Sequence, residues 1–126
     1  MSAAILINLS YAAALLSLAL GLLGLLAPMR ALNLVGLQLV PGLPHSVSEV
    51  RATYGGVFFG ASLYPLLSGA PQAFLTLACC WLAAGIARLI SVVVDSAPTR
   101  FNFTSIAFEL GVGALLALPY RAALLG

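Results

Sequence analysis

The chain has 126 residues, a formal net charge of +2, 63% hydrophobic residues and only 6% charged residues. A soluble domain carries about 25% charged residues, and five basic plus three acidic side chains cannot solvate a globule of this size. The composition excludes a soluble enzyme, a nucleic-acid binder and a disordered chain, and points to an integral membrane protein; the mean hydropathy of +1.15 agrees.

The first apolar run extends from about Ala3 to Ala27 and stops before Pro28. It lacks a basic leader and exceeds the roughly 7–15 apolar residues of a secretory signal, so it reads as a retained helix. The next piece, Pro28 to Ser46, is unusually apolar for a connection, with Leu32, Leu34, Val35, Leu37, Leu39 and Val40. This pattern predicts a segment lying in the membrane interface, in part as a short helix, ended by Pro41-Gly42-Leu43-Pro44. A second span follows from about Val47 to Leu67, and Ser46-Val47-Ser48-Glu49 matches a capping box with Ser46 as N-cap. Ser68-Gly69-Ala70 is a tight turn into a third span, from Pro71 to about Val94. Asp95 to Phe101 leads into a fourth span, from about Asn102 to Leu118, before Pro119.

Each run approaches or exceeds the roughly 20 helical residues that cross a bilayer core of about 30 Å. An open sheet leaves backbone groups unpaired in lipid, so long uniform apolar runs are helical. The expected fold is all-α, a single-domain antiparallel four-helix membrane bundle with an apolar interfacial segment between the first and second helices. Small residues recur at spacing four: Ala13, Ser17 and Gly21; Ala52, Gly56 and Gly60; Cys79, Ala83, Ala87 and Ser91; Ala107 and Gly111. Such stripes let helices approach closely in lipid, within the bundle or in a homodimer. Adjacent Cys79 and Cys80 offer neither an unstrained disulfide nor a zinc pair, and read as inert buried thiols.

Alternation of helix direction brings the end of helix one, the start of two, the end of three and the start of four to one side. Arg30, His45, Glu49, Arg51, Arg88, Asp95, Arg100 and Glu109 all fall there, leaving Arg121 and the N-terminal amine on the other. Arg88 precedes Asp95 by seven residues and Glu109 follows Asn102 by seven, each about 10 Å of helix. The two charges therefore sit at one depth, and a charge in hydrocarbon faces the interior and finds a partner, which predicts an Arg88–Glu109 pair. Arg88, Ser91 and Asp95 share one face of helix three, and Arg51 and Tyr54 one face of helix two. With Glu49, these residues compose a candidate ligand-binding pocket open to one side. Plainer readings stand beside it: Glu49 as a capping residue, Arg88–Glu109 as a structural lock, Asp95 as a loop residue. Tyr11, Tyr64, Tyr120 and Trp81 read as packing or interfacial residues. Counting arginines near span ends places the polar side in the cytoplasm and both termini outside.

The stretch SEVRATYGGVFFGASLYPLL, from Ser48 to Leu67, resembles the signature of a family of small bacterial four-helix membrane proteins described only as a domain of unknown function. The shared pattern is an acidic residue, Arg-Ala, Tyr-Gly-Gly and a further Gly four residues on. Pro28, Gly85-Ile86-Ala87-Arg88, Ser91, Asp95, Pro98 and Glu109 continue the likeness. Ser96 departs from it, standing where the family is expected to prefer Gly. The resemblance implies a bacterial inner-membrane protein and supplies no activity.

Three functions fit. The first is a non-catalytic bundle that binds a lipophilic small molecule or serves as an accessory subunit of a larger membrane complex. The second is a membrane enzyme of acid–base isomerase type on a lipophilic substrate, with titratable groups among Glu49, Asp95 and Glu109; pairing with Arg88 argues against Glu109 as proton donor. The third is a transporter, disfavoured because polarity stops at one end of the helices. No catalytic motif, metal site or cofactor motif is present, and the cofactor is unknown. The partners implied are the lipid bilayer, a lipophilic ligand, and a larger complex or homo-oligomer, with no nucleic acid.

Overall fold

The computed structural model describes residues 2–124. Among them every regular element is helical, with no strand. Helix α1 runs Ala3–Leu26, α2 Pro28–Val35 and α3 His45–Val50; a π-helical segment over Arg51–Val57 leads directly into α4, Phe58–Ser68. Helix α5 runs Pro71–Val94 and α6 Arg100–Ala117, continued by a 3-10 segment over Leu118–Leu124. Three helices are long and apolar enough to cross a membrane: Ala3–Leu26, Pro71–Val94 and Arg100–Ala123.

The expected second span departs most from its sequence reading. It is one unbroken helical run, but in three parts, and it begins at His45 with Pro44 as N-cap. Ser46 is already inside the helix, and its hydroxyl donates to the Leu43 carbonyl at 2.6 Å instead of accepting from a backbone amide. The capping box therefore does not form, and Glu49 is exposed. The π-helical segment covers Gly55-Gly56, where the missing side chains ease a wider turn. The fourth helix ends at Ala117, within a residue of its expected stop, and the chain continues as a tighter 3-10 turn that takes in Pro119, which donates no hydrogen bond.

The chain divides into two compact units, Met1–Ala13 with Ser68–Gly126, and Ala14–Leu67. The first is built on the α5–α6 hairpin. Its core is Phe74, Leu77, Ala78, Trp81, Ile106, Val112 and Leu116. Gly85 and Gly113 set the helix approach: a Cβ on Gly85 would come within 2.8 Å of Leu110 and one on Gly113 within 2.7 Å of Leu82. Aromatic rings complete the packing. Phe74 lies between Tyr11 and Tyr120, with centroids 4.9 Å from each, and Trp81 meets Phe108 edge-on. Gly69, at φ +63°, makes the turn into α5 beside the Tyr11 hydroxyl.

In the second unit the last turns of α1 pack against the π-helical segment and α4. A Cβ on Gly24 would stand 2.6 Å from the Tyr54 backbone, one on Gly55 2.7 Å from the Leu25 nitrogen, and one on Gly21 2.5 Å from the Phe59 nitrogen. Here backbone meets backbone. The stripe Ala13, Ser17, Gly21 is buried as expected. The other three stripes are not the packing faces. Ala52 and Gly60 are exposed while Gly55, Ser62 and Pro65 are buried; Cys79, Ala83 and Ala87 are exposed, as are Ala107 and Gly111. In the second span the cause is the π turn: its longer period brings Val50 and Gly55, five apart, to one buried side. In α5 and α6 larger side chains won the interior, because Trp81, Phe74 and Leu116 fill more volume than a small-residue seam. Cys79 and Cys80 are free thiols, exposed rather than buried.

Candidate functional site

The polar centre of the first unit lies where α5 and α6 approach the Asp95–Thr99 connection. Glu109 belongs to the inward row of α6 with Ile106, Gly113 and Leu116, and is 7% exposed. Arg88 stands one helical turn beyond Gly85, the point of closest helix approach on α5. The guanidinium meets the carboxylate along its edge: Nε donates to both Glu109 oxygens at 3.1 Å and Nη2 to Oε1 at 2.8 Å. This is the ion pair expected from the matched depth of the two residues.

Asn102 adds a third member. Its Oδ1 accepts from Arg88 Nη1 at 3.2 Å, and its Nδ2 donates to the Ala97 carbonyl at 2.8 Å. Its backbone amide donates to the hydroxyl of Thr99, the N-cap of α6. Asn102 thus ties the loop, the helix start and the guanidinium together. The Phe101 ring lies 5.9 Å from the guanidinium carbon, at the outer range of a cation–π contact. A guanidinium that engages both oxygens of a carboxylate fixes its orientation. The arrangement is chemically a clamp.

Of the residues expected to join it, Ser91 is half-buried and its backbone carbonyl accepts from the Asp95 amide. Asp95 is exposed at the C-cap of α5, and its carboxylate makes no hydrogen bond among the described residues. Glu49, Arg51 and Tyr54 belong to the second unit, and all three are exposed. Arg51 Nη1 donates to the carbonyl of Leu25, in the last turn of α1. That carbonyl has no intrahelical amide to accept from, and the helix end favours a positive charge. Thr53 fixes its hydroxyl on the Glu49 carbonyl at 2.6 Å, leaving the Glu49 side chain outside the bond.

Asn102 and Phe101 were not anticipated as clamp members. The signal for Asn102 was present: it lies seven residues before Glu109, two turns along one face. The Leu25 acceptor had no signal, since a backbone carbonyl is not marked by residue type. Among the described residues no group of three or more His, Cys, Asp or Glu is placed to hold a metal ion.

An all-helical chain with three membrane-length apolar helices, two of them joined by an internal Arg–Glu–Asn clamp, is of the small helical membrane-protein type. The chain belongs to the family defined by a domain of unknown function (DUF4345), whose model matches residues 6–119. No curated protein and no solved structure matches it.

Proposed function

We propose that this is a non-catalytic inner-membrane protein of bacteria, spanning the bilayer four times as an antiparallel bundle and acting as an accessory subunit of a larger membrane complex. The observation that carries this reading is the commitment of Glu109 to Arg88 while apolar and small side chains face outward. Engagement of both carboxylate oxygens leaves Glu109, one of the three candidate acid–base groups, occupied within the protein. Outside, Ile86, Ile90, Val93 and Val94 are exposed along α5, beside the shallow row Cys79, Ala83 and Ala87. A small-residue row flanked by large apolar side chains suits close packing of a partner helix. The run from His45 to Ser68 supplies the fourth span, and the arginine distribution supports a cytoplasmic polar side with both termini outside.

Ligand binding is the second reading, favoured by the exposure of Glu49, Arg51 and Tyr54 on an otherwise apolar run. On this reading a lipophilic molecule would set a polar headgroup against these residues.

Native mass spectrometry of the protein, released gently from its own membrane, tests both. A stoichiometric protein partner without a small molecule is the expected result. A co-purifying small molecule of defined mass, lost on replacing Arg51 by Ala in a protein that still folds, would overturn the accessory reading in favour of the second.

A further inference from the structure

We infer that residues 28–44 form a lipid-docking strap that lies in the headgroup region, with apolar side chains inserted into the acyl boundary. The inference rests on the membrane reading above and takes the interfacial placement expected from the sequence to an occupant, the lipid headgroup and acyl boundary, and a depth.

Three observations carry it. The first is where the segment begins and ends. Helix α1 has 24 residues, about 36 Å of helix, which exceeds a hydrocarbon core of about 30 Å. One residue, Ala27, separates its end from α2, and α3 begins at His45, directly after Pro44. On the membrane reading both ends of the segment lie where helical runs leave the hydrocarbon.

The second is its surface. Met29, Leu34, Leu37, Val40 and Leu43 are 44% to 60% exposed, and the turn around Val40, Pro41 and Leu43 is folded into an apolar concavity that also takes in Val47. These large apolar side chains are left uncovered by the rest of the described chain, more than a connection facing water would expose. The one formal charge in the segment is Arg30, which suits anionic headgroups.

The third is its backbone. The Gly36 and Leu37 amides close the end of α2, and Leu43 bonds back to Val40. The amides of Gln38, Leu39, Val40 and Gly42 have no hydrogen-bond acceptor among the described residues. Unpaired amides cannot be placed in the hydrocarbon core. The side chains need lipid and the backbone needs water, and only the interface supplies both. A protein partner would have to cover the apolar face and supply acceptors to these amides at once.

The test uses the full chain in vesicles of phosphatidylcholine and phosphatidylglycerol. Nitroxide labels are placed singly at Leu37→Cys, Val40→Cys and Leu43→Cys in a Cys79→Ser/Cys80→Ser background, with Leu15→Cys in α1 as the reference. Each label's collision rates with oxygen and with the water-soluble nickel chelate NiEDDA give its depth. The strap predicts nickel accessibility several-fold below that of a label in water, yet above that at Leu15, with oxygen accessibility raised. Water-like nickel accessibility at the three positions, with Leu15 in lipid, would overturn the strap alone. Immobile labels reached by neither reagent would overturn it in favour of a protein occupant, a second copy of the chain. A water-like Leu15 would overturn the membrane reading along with it.

Discussion

Ser96 has φ +50°, in the left-handed region where a side chain is strained and glycine is not. It directly follows Asp95, the C-cap of α5, at the position where helices commonly place Gly. The departure from the expected family pattern thus coincides with a local conformational cost. Ser96→Gly is expected to stabilise the protein by about 1 kcal/mol, read as a rise in the thermal unfolding midpoint in detergent. The clamp is the other residue-scale feature with a measurable consequence. Removing one member of a buried ion pair costs about 3 kcal/mol or more, because the other is left uncompensated. Arg88→Ala should lower stability by that order because it strands the buried Glu109, and Glu109→Ala by less, since the Arg88 side chain is 28% exposed; Arg88→Met combined with Glu109→Leu should recover most of the loss. Asn102→Ala should cost about 1 kcal/mol. If Arg88→Ala proves as stable as the parent chain, the clamp is not a structural lock.

At the scale of helices, glycine positions separate contact from open surface. Gly24 and Gly55 meet backbone across the α1 crossing, which cannot move aside as a flexible side chain can. Gly24→Ala or Gly55→Ala should destabilise by about 1–3 kcal/mol through overpacking. Gly60 and Gly111 have no atom within 4 Å of a built Cβ. Alanine there should be neutral or stabilising by up to about 1 kcal/mol from helix propensity. Parallel melting curves of the four variants check the contrast, and equal effects at all four sites would contradict the crossing. From spacing alone Gly60 and Gly111 belonged to expected packing stripes, and Gly24 and Gly55 did not. A spacing-four pattern assumes an α-helical period, whereas the π turn at Arg51–Val57 puts Gly55 on the buried side in place of Gly56 or Gly60. The capping box fails for a local reason: the helix starts at His45, one residue before Ser46, with Pro44 as N-cap.

For the molecule as a whole, surface exposure and water exposure part company. Cys79 and Cys80 are exposed on α5, and Pro71 starts that helix about 12–14 Å away along its axis. In a membrane-spanning bundle both thiols face lipid. A charged, membrane-impermeant maleimide should leave both unmodified in intact vesicles and modify them after denaturation in detergent, read by intact mass. Rapid modification in sealed vesicles would count against α5 as a span.

Much of the architecture was legible from composition and apolar run length alone. With 6% charged residues no water-facing globule can be built, and helix is the one way for runs such as Ala3–Leu26 and Pro71–Val94 to satisfy their backbone in an apolar medium. The Arg88–Glu109 pair was legible too, because depth along neighbouring helices is set by residue count and a charge there requires a partner. Which side of each helix faces inward was settled by tertiary structure. A uniformly apolar helix has no polar face to orient it, so packing volume placed Trp81 and Phe74 inside and the cysteines outside. The Arg51 bond to Leu25 likewise depends on how the chain folds back on itself, since its geometry joins residues that no local pattern couples.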